Sequence, residues 1–198
     1  MRAVETVPIW AVGGLVALAV ALALPGMGAE RAGTMREAGW LEALDLRSYA
    51  PGTRAPEFSG RTLEGQTVSL AELRGRVVLL NFWATWCLEC RAEMPVIEGL
   101  QREFGPNGLT ILGINAGERA EAVRRFADDL RLTFPLVLDP RGDVGRRYGV
   151  VGLPTTFLIG RDGAAVALAI GPREWATAPA RAVIRALLAK PRDAVGAR

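Results

Sequence analysis

The stretch Asn81-Phe-Trp-Ala-Thr-Trp-Cys87-Leu-Glu-Cys90 decides the fold, and it holds both cysteines of the 198-residue chain. The run Val77 to Phe82 ahead of it reads as a buried strand. Leu88 to Phe104 behind it reads as a helix. A strand therefore delivers Cys87 to the mouth of a helix. Unpaired backbone N–H groups and the positive dipole end favour a thiolate there. The thiolate is the attacking species in disulfide exchange, so the placement suits redox chemistry. The two-residue spacing lets Cys90 reach back from one turn on and close a small disulfide ring.

Other uses of two cysteines fit less well. A closed structural zinc site takes four Cys or His ligands, and the chain has two Cys and no His. A purely structural disulfide over so short a ring would stabilise little. A redox-active pair is the expectation.

Half the residues are hydrophobic, enough for one domain with a sizeable core. The net charge is +3, with a single lysine and many arginines. Acidic and basic residues are interspersed, which excludes a nucleic-acid footprint. Confining cysteine to one motif fits a protein that works where stray thiols are oxidised.

Val7 to Ala29 carries no charged residue and is long enough to span a bilayer. Residues 1–29 are expected to be a membrane anchor, with a cleaved signal peptide as the alternative. Either places the remainder outside the cytoplasm. Residues 30–54 read as a tether, in which Trp40, Leu41, Leu44 and Leu46 could form one amphipathic turn. Ala50-Pro-Gly-Thr is turn chemistry and marks the expected domain boundary, giving a domain over 55–190 and a tail over 191–198. Phe58 to Ser69, broken by Gly65, reads as a hairpin. Ser69-Leu-Ala-Glu72 is a capping box that starts a short helix.

Pro95 interrupts the helix after Cys87, and Gly105-Pro-Asn-Gly108 stops it. Leu109 to Ile114 is a second buried strand. Arg119 to Leu130 is a helix with Ala122, Phe126 and Leu130 on one face and Asp128 and Asp129 on its wet side. Phe134 to Leu138 is a strand and Asp143 to Tyr148 a short helix. Thr155 to Ile159 and Val166 to Ile170 pair around the Asp162-Gly163 turn. A last helix runs from Thr177 to Ala189. Strand–helix alternation followed by a hairpin predicts an α/β fold, a mixed sheet with helices on both faces.

The longer pattern Asn81-Phe-Trp-Ala-Thr-Trp-Cys-x-x-Cys-x-x-Glu93-x-Pro95 resembles the thioredoxin fold, and within it the membrane-tethered ResA/TlpA/CcmG group. Ala55-Pro-Glu-Phe58 is similar to that group's opening motif. Tyr148-Gly-Val-Val-Gly-Leu-Pro154-Thr-Thr is similar to its cis-proline segment. The resemblance spans Ala55 to Leu188. It implies a thioredoxin fold with an N-terminal hairpin extension, and a thiol-disulfide oxidoreductase that uses its own Cys87–Cys90 disulfide and no other cofactor or metal.

Cys87 is the expected nucleophile, since it lies at the helix mouth, and Cys90 the resolving thiol. Trp83 is expected to pack in the core and Trp86 to form an apolar rim that a partner touches. The resemblance makes Leu153–Pro154 a cis peptide facing the disulfide, where backbone can pair with a docked chain. Glu93 matches the group's acid. It is expected to be partly buried with a raised pKa and to help deprotonate Cys90. Glu89 departs from the group's usual proline or small residue. A carboxylate between the thiols opposes thiolate formation.

The resemblance implies a reductase of partner-protein disulfides, such as those of apocytochrome c, fed by a membrane thiol-electron donor. The alternatives are a disulfide-forming oxidant, a peroxiredoxin-like peroxidase and a copper-delivery module. The peroxidase would want a Pro-x-x-x-Thr-x-x-Cys loop, which Thr85 does not satisfy. The copper module would need Cys-x-x-x-Cys and a histidine.

Overall fold

The computed structural model describes residues 39–191. The expected anchor (1–29) and all but the first residue of the expected tail lie outside them. Residues 39–43 are helical (α1). An eight-stranded mixed sheet follows, built from β1 (Arg47–Ser48), β2 (Ser59–Thr62), β3 (Thr67–Ser69), β4 (Val77–Trp83), β5 (Leu109–Ala116), β6 (Leu136–Asp139), β7 (Thr155–Ile159) and β8 (Ala165–Ile170). Their order is β1-β8-β7-β4-β5-β6-β2-β3. The helices are α2 (Leu88–Phe104), α3 (Ala120–Leu130), α4 (Asp143–Arg147) and α5 (Ala178–Ala189).

β4 lies among the inner strands because all seven of its residues are buried. A strand covered on both faces reads as a continuous apolar run. It runs parallel to β5 and antiparallel to β7. Side chains alternate across the sheet, so Val77, Leu79 and Trp83 enter one core with Met94, Ile97, Phe126 and Val183. Val78, Leu80 and Phe82 enter a second core with Val144, Tyr148 and Phe157. The first core is covered by α2, α3 and α5, and the second by α4, a 3-10 turn at Ala71–Leu73 and the chain around Phe58.

The expected hairpin is β2–β3, and β2 adds to the sheet through β6. The capping box closes in both directions, with Ser69 N–H donating to Glu72 Oε2 at 2.9 Å and Glu72 N–H to Ser69 Oγ at 3.4 Å. It starts a 3-10 turn and not a longer helix. The β7–β8 turn carries Gly163 at φ 77°, a left-handed conformation that glycine adopts without strain.

Two expectations need correction. The segment read as a tether belongs to the domain from residue 39 onward. Leu41, Leu44 and Leu46 are buried in the first core, β1 pairs with β8, and Arg54 bridges Ala164. The Pro51-Gly52 turn is a bend inside the domain and not its edge. In α3 the expected face holds at Phe126 and at Leu130, which packs half-buried against the first core, but Val123 and Ala127 are buried where Ala122 is only half-buried. Asp128 and Asp129 face water as expected. Among the described residues no helix is long and apolar enough to cross a membrane.

Candidate active site

β4 ends at Trp83, and Ala84 to Trp86 turn the chain into α2. Cys87 caps that helix in an extended conformation, and its sulfur accepts the Cys90 N–H at 3.2 Å. Cys87 and Cys90 form a disulfide with Cα atoms 5.2 Å apart. Cys90 is fully buried, while Cys87 keeps 5% of its surface exposed. That surface opens into a groove of about 740 Å3 shared with Trp86, Leu88, Glu89, Val151 and Leu153. Trp86, Leu88 and Val151 are 72%, 76% and 86% exposed. Large apolar side chains that far into water, clustered at one opening, are a mark of a contact surface.

The Leu153–Pro154 peptide is cis. Leu153 lines the groove beside Cys87, and Pro154 lies buried behind it. Trp83 packs against Phe126 with ring centroids 4.8 Å apart, in the core as expected.

Glu93 sits one turn beyond Cys90 on α2 and is buried, more deeply than the sequence suggested. Sheet alternation explains its partner on β4. Asn81 has the same parity as Val77, Leu79 and Trp83, so it points at α2. Its Nδ2 donates to Glu93 Oε2 at 3.2 Å and to Thr156 Oγ1 at 2.9 Å. Glu93 Oε1 accepts the Trp175 indole N–H at 2.5 Å and the Arg173 backbone N–H at 3.1 Å. Burial pushes the Glu93 carboxyl up from its ordinary pKa, and the three hydrogen bonds and the Arg173 charge pull against that. The result is a buried acid, raised but still solvated by fixed donors.

Three contributors escaped the sequence reading. Trp175 and Arg173 hold Glu93 from the β8–α5 connection. Glu118, just after β5, holds the redox loop. Its carboxylate accepts Thr85 N–H at 2.7 Å, Thr85 Oγ1–H at 2.5 Å and Asn115 Nδ2–H at 2.7 Å. Apart from the local Asn115–Glu118 bond, these contacts join residues 33 to 82 positions apart, and no local pattern marks them. A second buried glutamate, Glu98, accepts the Thr133 N–H and hydroxyl at 2.7 Å and ties α2 to the connection after α3.

The AhpC/TSA family profile matches residues 51–167. The chain belongs to the AhpC/TSA family. It is 44% identical over 115 residues to the thioredoxin-like protein YneN of Bacillus subtilis, covering 57% of this chain and 66% of that one. It is 44% identical over 116 residues to the thiol-disulfide oxidoreductase ResA of Geobacillus thermodenitrificans, covering 59% and 67%. The chain thus spans about two thirds of the length of these relatives. Among solved structures, it is similar to a thiol:disulfide interchange protein of the thioredoxin family from Chlorobium tepidum. The TM-score is 0.64 at 30% identity, over 71% of this chain and 99% of that one. It is also similar to StoA from Bacillus subtilis, with a TM-score of 0.53 at 28% identity over 60% and 91%. The thioredoxin-like fold expected from Trp86-Cys-x-x-Cys is the one observed.

Proposed function

We propose that this protein is an extracytoplasmic thiol-disulfide oxidoreductase that reduces disulfides of partner proteins, with apocytochrome c as the substrate class that the resemblance to the ResA/TlpA/CcmG group implies. One observation carries the reading. The only disulfide among the described residues caps α2 and opens into an apolar groove, and one turn beyond it on the same helix lies the buried acid Glu93. The relatives named thiol-disulfide oxidoreductase support the same chemistry.

In the reduced protein the Cys87 thiolate attacks one sulfur of the partner disulfide. A Cys87–partner disulfide forms and one partner thiolate leaves. Glu93 takes the Cys90 proton, the Cys90 thiolate attacks Cys87 Sγ, and the second partner thiolate leaves and is protonated. Two electrons pass to the partner and the Cys87–Cys90 disulfide remains. A membrane thiol-electron donor then restores the dithiol, so the cycle needs no cofactor beyond the cysteine pair. Leu153 and the Pro154 segment hold the partner chain, with Trp86 as apolar rim. Residues 7–29 supply the membrane anchor.

The direction of flow follows from Glu89. Strongly oxidising relatives of the fold stabilise their thiolate form. A carboxylate between the cysteines destabilises it and favours the disulfide, which makes the dithiol an electron donor. A redox titration against dithiothreitol and glutathione tests this. A potential near about −120 mV, the value of a strong disulfide-forming oxidant, would replace the reductase with the oxidant.

A further inference from the structure

The groove beside Cys87 is apolar, but its charged groups are not balanced. It is lined by three of them, Glu89, Asp139 and Arg146. Arg146 is already engaged: its guanidinium donates to Asp143 Oδ1 at 2.5 Å and to the Arg141 carbonyl at 2.6 Å. Asp139 is buried and accepts the Gly145 N–H at 2.9 Å. The Glu89 carboxylate is exposed and takes part in no ion pair or side-chain hydrogen bond among the described residues. Arg91, two residues on, lies over the Phe126 ring at 5.4 Å, and residues two apart on a helix do not face each other. In a chain with 24 basic and 21 acidic residues, the uncompensated charge at the disulfide is negative.

We propose that this groove selects partner disulfides whose cysteines are flanked by lysine or arginine, and that Glu89 is the residue that reads that charge. The inference rests on the oxidoreductase reading and narrows its substrate class. An apolar side chain of the partner fills the space between Trp86, Leu88 and Val151. A cationic neighbour of the attacked cysteine lies against Glu89. Complementary charge at a docking rim acts on encounter and register more than on total affinity, so the selection appears in kcat/KM and weakens with salt.

The test uses two synthetic peptides, each with one internal disulfide and the same apolar residues. One is flanked by lysines and the other by glutamates. The dithiol form of the whole protein is assayed with each at low and high salt, as wild type, Glu89→Gln and Glu89→Lys. The wild type is expected to reduce the lysine peptide roughly five- to tenfold faster in kcat/KM, as two unit charges near water would give. The ratio should fall towards one in Glu89→Gln and in high salt, and invert in Glu89→Lys. Each ratio is taken relative to that of the same two peptides with dithiothreitol, because lysine neighbours by themselves lower the leaving thiol's pKa, and what remains is the groove's own discrimination. Equal rates in the wild type, or a preference that Glu89→Lys leaves unchanged, would overturn the inference while leaving the oxidoreductase standing. Failure to reduce either peptide, or insulin, would remove the oxidoreductase reading and this inference together.

Discussion

The indole N–H of Trp175 donates to Oε1 of Glu93 at 2.5 Å, joining the β8–α5 connection to the acid one turn past Cys90. Both side chains are buried, so the bond lies where a hydrogen bond to a charged group is worth most. Trp175→Phe keeps most of the volume and removes the donor. The Glu93 carboxyl should then titrate at still higher pH, since this bond pulls its pKa down. The variant should also lose about 1–3 kcal/mol of stability. Carboxyl-carbon NMR titration of the oxidised protein reads the first effect and denaturant melts the second. An unmoved titration would mean that Asn81 and Arg173 alone solvate the charge.

Glu93 also makes stability depend on pH, with a definite sign. Its folded pKa lies above the unfolded one because burial dominates. Between the two values the folded state binds more protons, so stability falls as pH rises. The contribution is fully present below the unfolded pKa and is lost as pH passes through the folded one. Glu93→Gln should remove that slope, and its stability relative to wild type should improve steadily over the same window. Parallel pH–stability curves for the two proteins would contradict this. In the same variant the pH–rate profile of exchange should lose the limb assigned to Glu93.

The two cysteines should behave unequally. Only Cys87 opens to the groove, so Cys87→Ser should abolish attack on a partner disulfide. Cys90→Ser should accumulate mixed disulfides through Cys87, visible on non-reducing gels. Trapping by Cys87→Ser and not by Cys90→Ser would reverse the assignment.

Glu118 fixes the loop that presents Trp86 and Cys87. Glu118→Ala leaves the Thr85 N–H without its carboxylate, and should cost about 1–3 kcal/mol. Glu118→Gln, which retains an acceptor, should recover part of that loss. Equal stability of both variants and wild type would show that water replaces the carboxylate fully.

The features legible in the sequence are those written in short stretches. The Cys-x-x-Cys pair sits between a run that is buried on both faces and a helix. The Ser69–Glu72 box spans one turn, and Asp162-Gly163 is itself a turn. What the sequence hid is long in range. Nothing near Trp175 points to Glu93, because their meeting depends on how the β8–α5 connection packs on α2. Leu41, Leu44 and Leu46 looked like a surface turn since Pro51-Gly52 punctuates the chain after them. Their burial is a tertiary outcome: they enter the first core, and the strand that follows them pairs with β8. On α3, Ala122 and Val123 are both apolar, and only packing into the first core buries Val123 in preference to Ala122.

The early docking of the chain has a mechanical meaning under the proposed anchoring by residues 7–29. Asp45 adopts φ 49° and pairs with Arg173 at 2.8 Å, and the backbone of Arg173 in turn holds Glu93. Residues 39–54, expected from the sequence to be tether, are therefore part of the folded domain. At about 3.3–3.6 Å per extended residue, roughly sixteen fewer free residues shorten the maximum stroke by about 50 Å. Under that proposed anchoring, the disulfide rides on an arm shorter by that length than the sequence alone suggests.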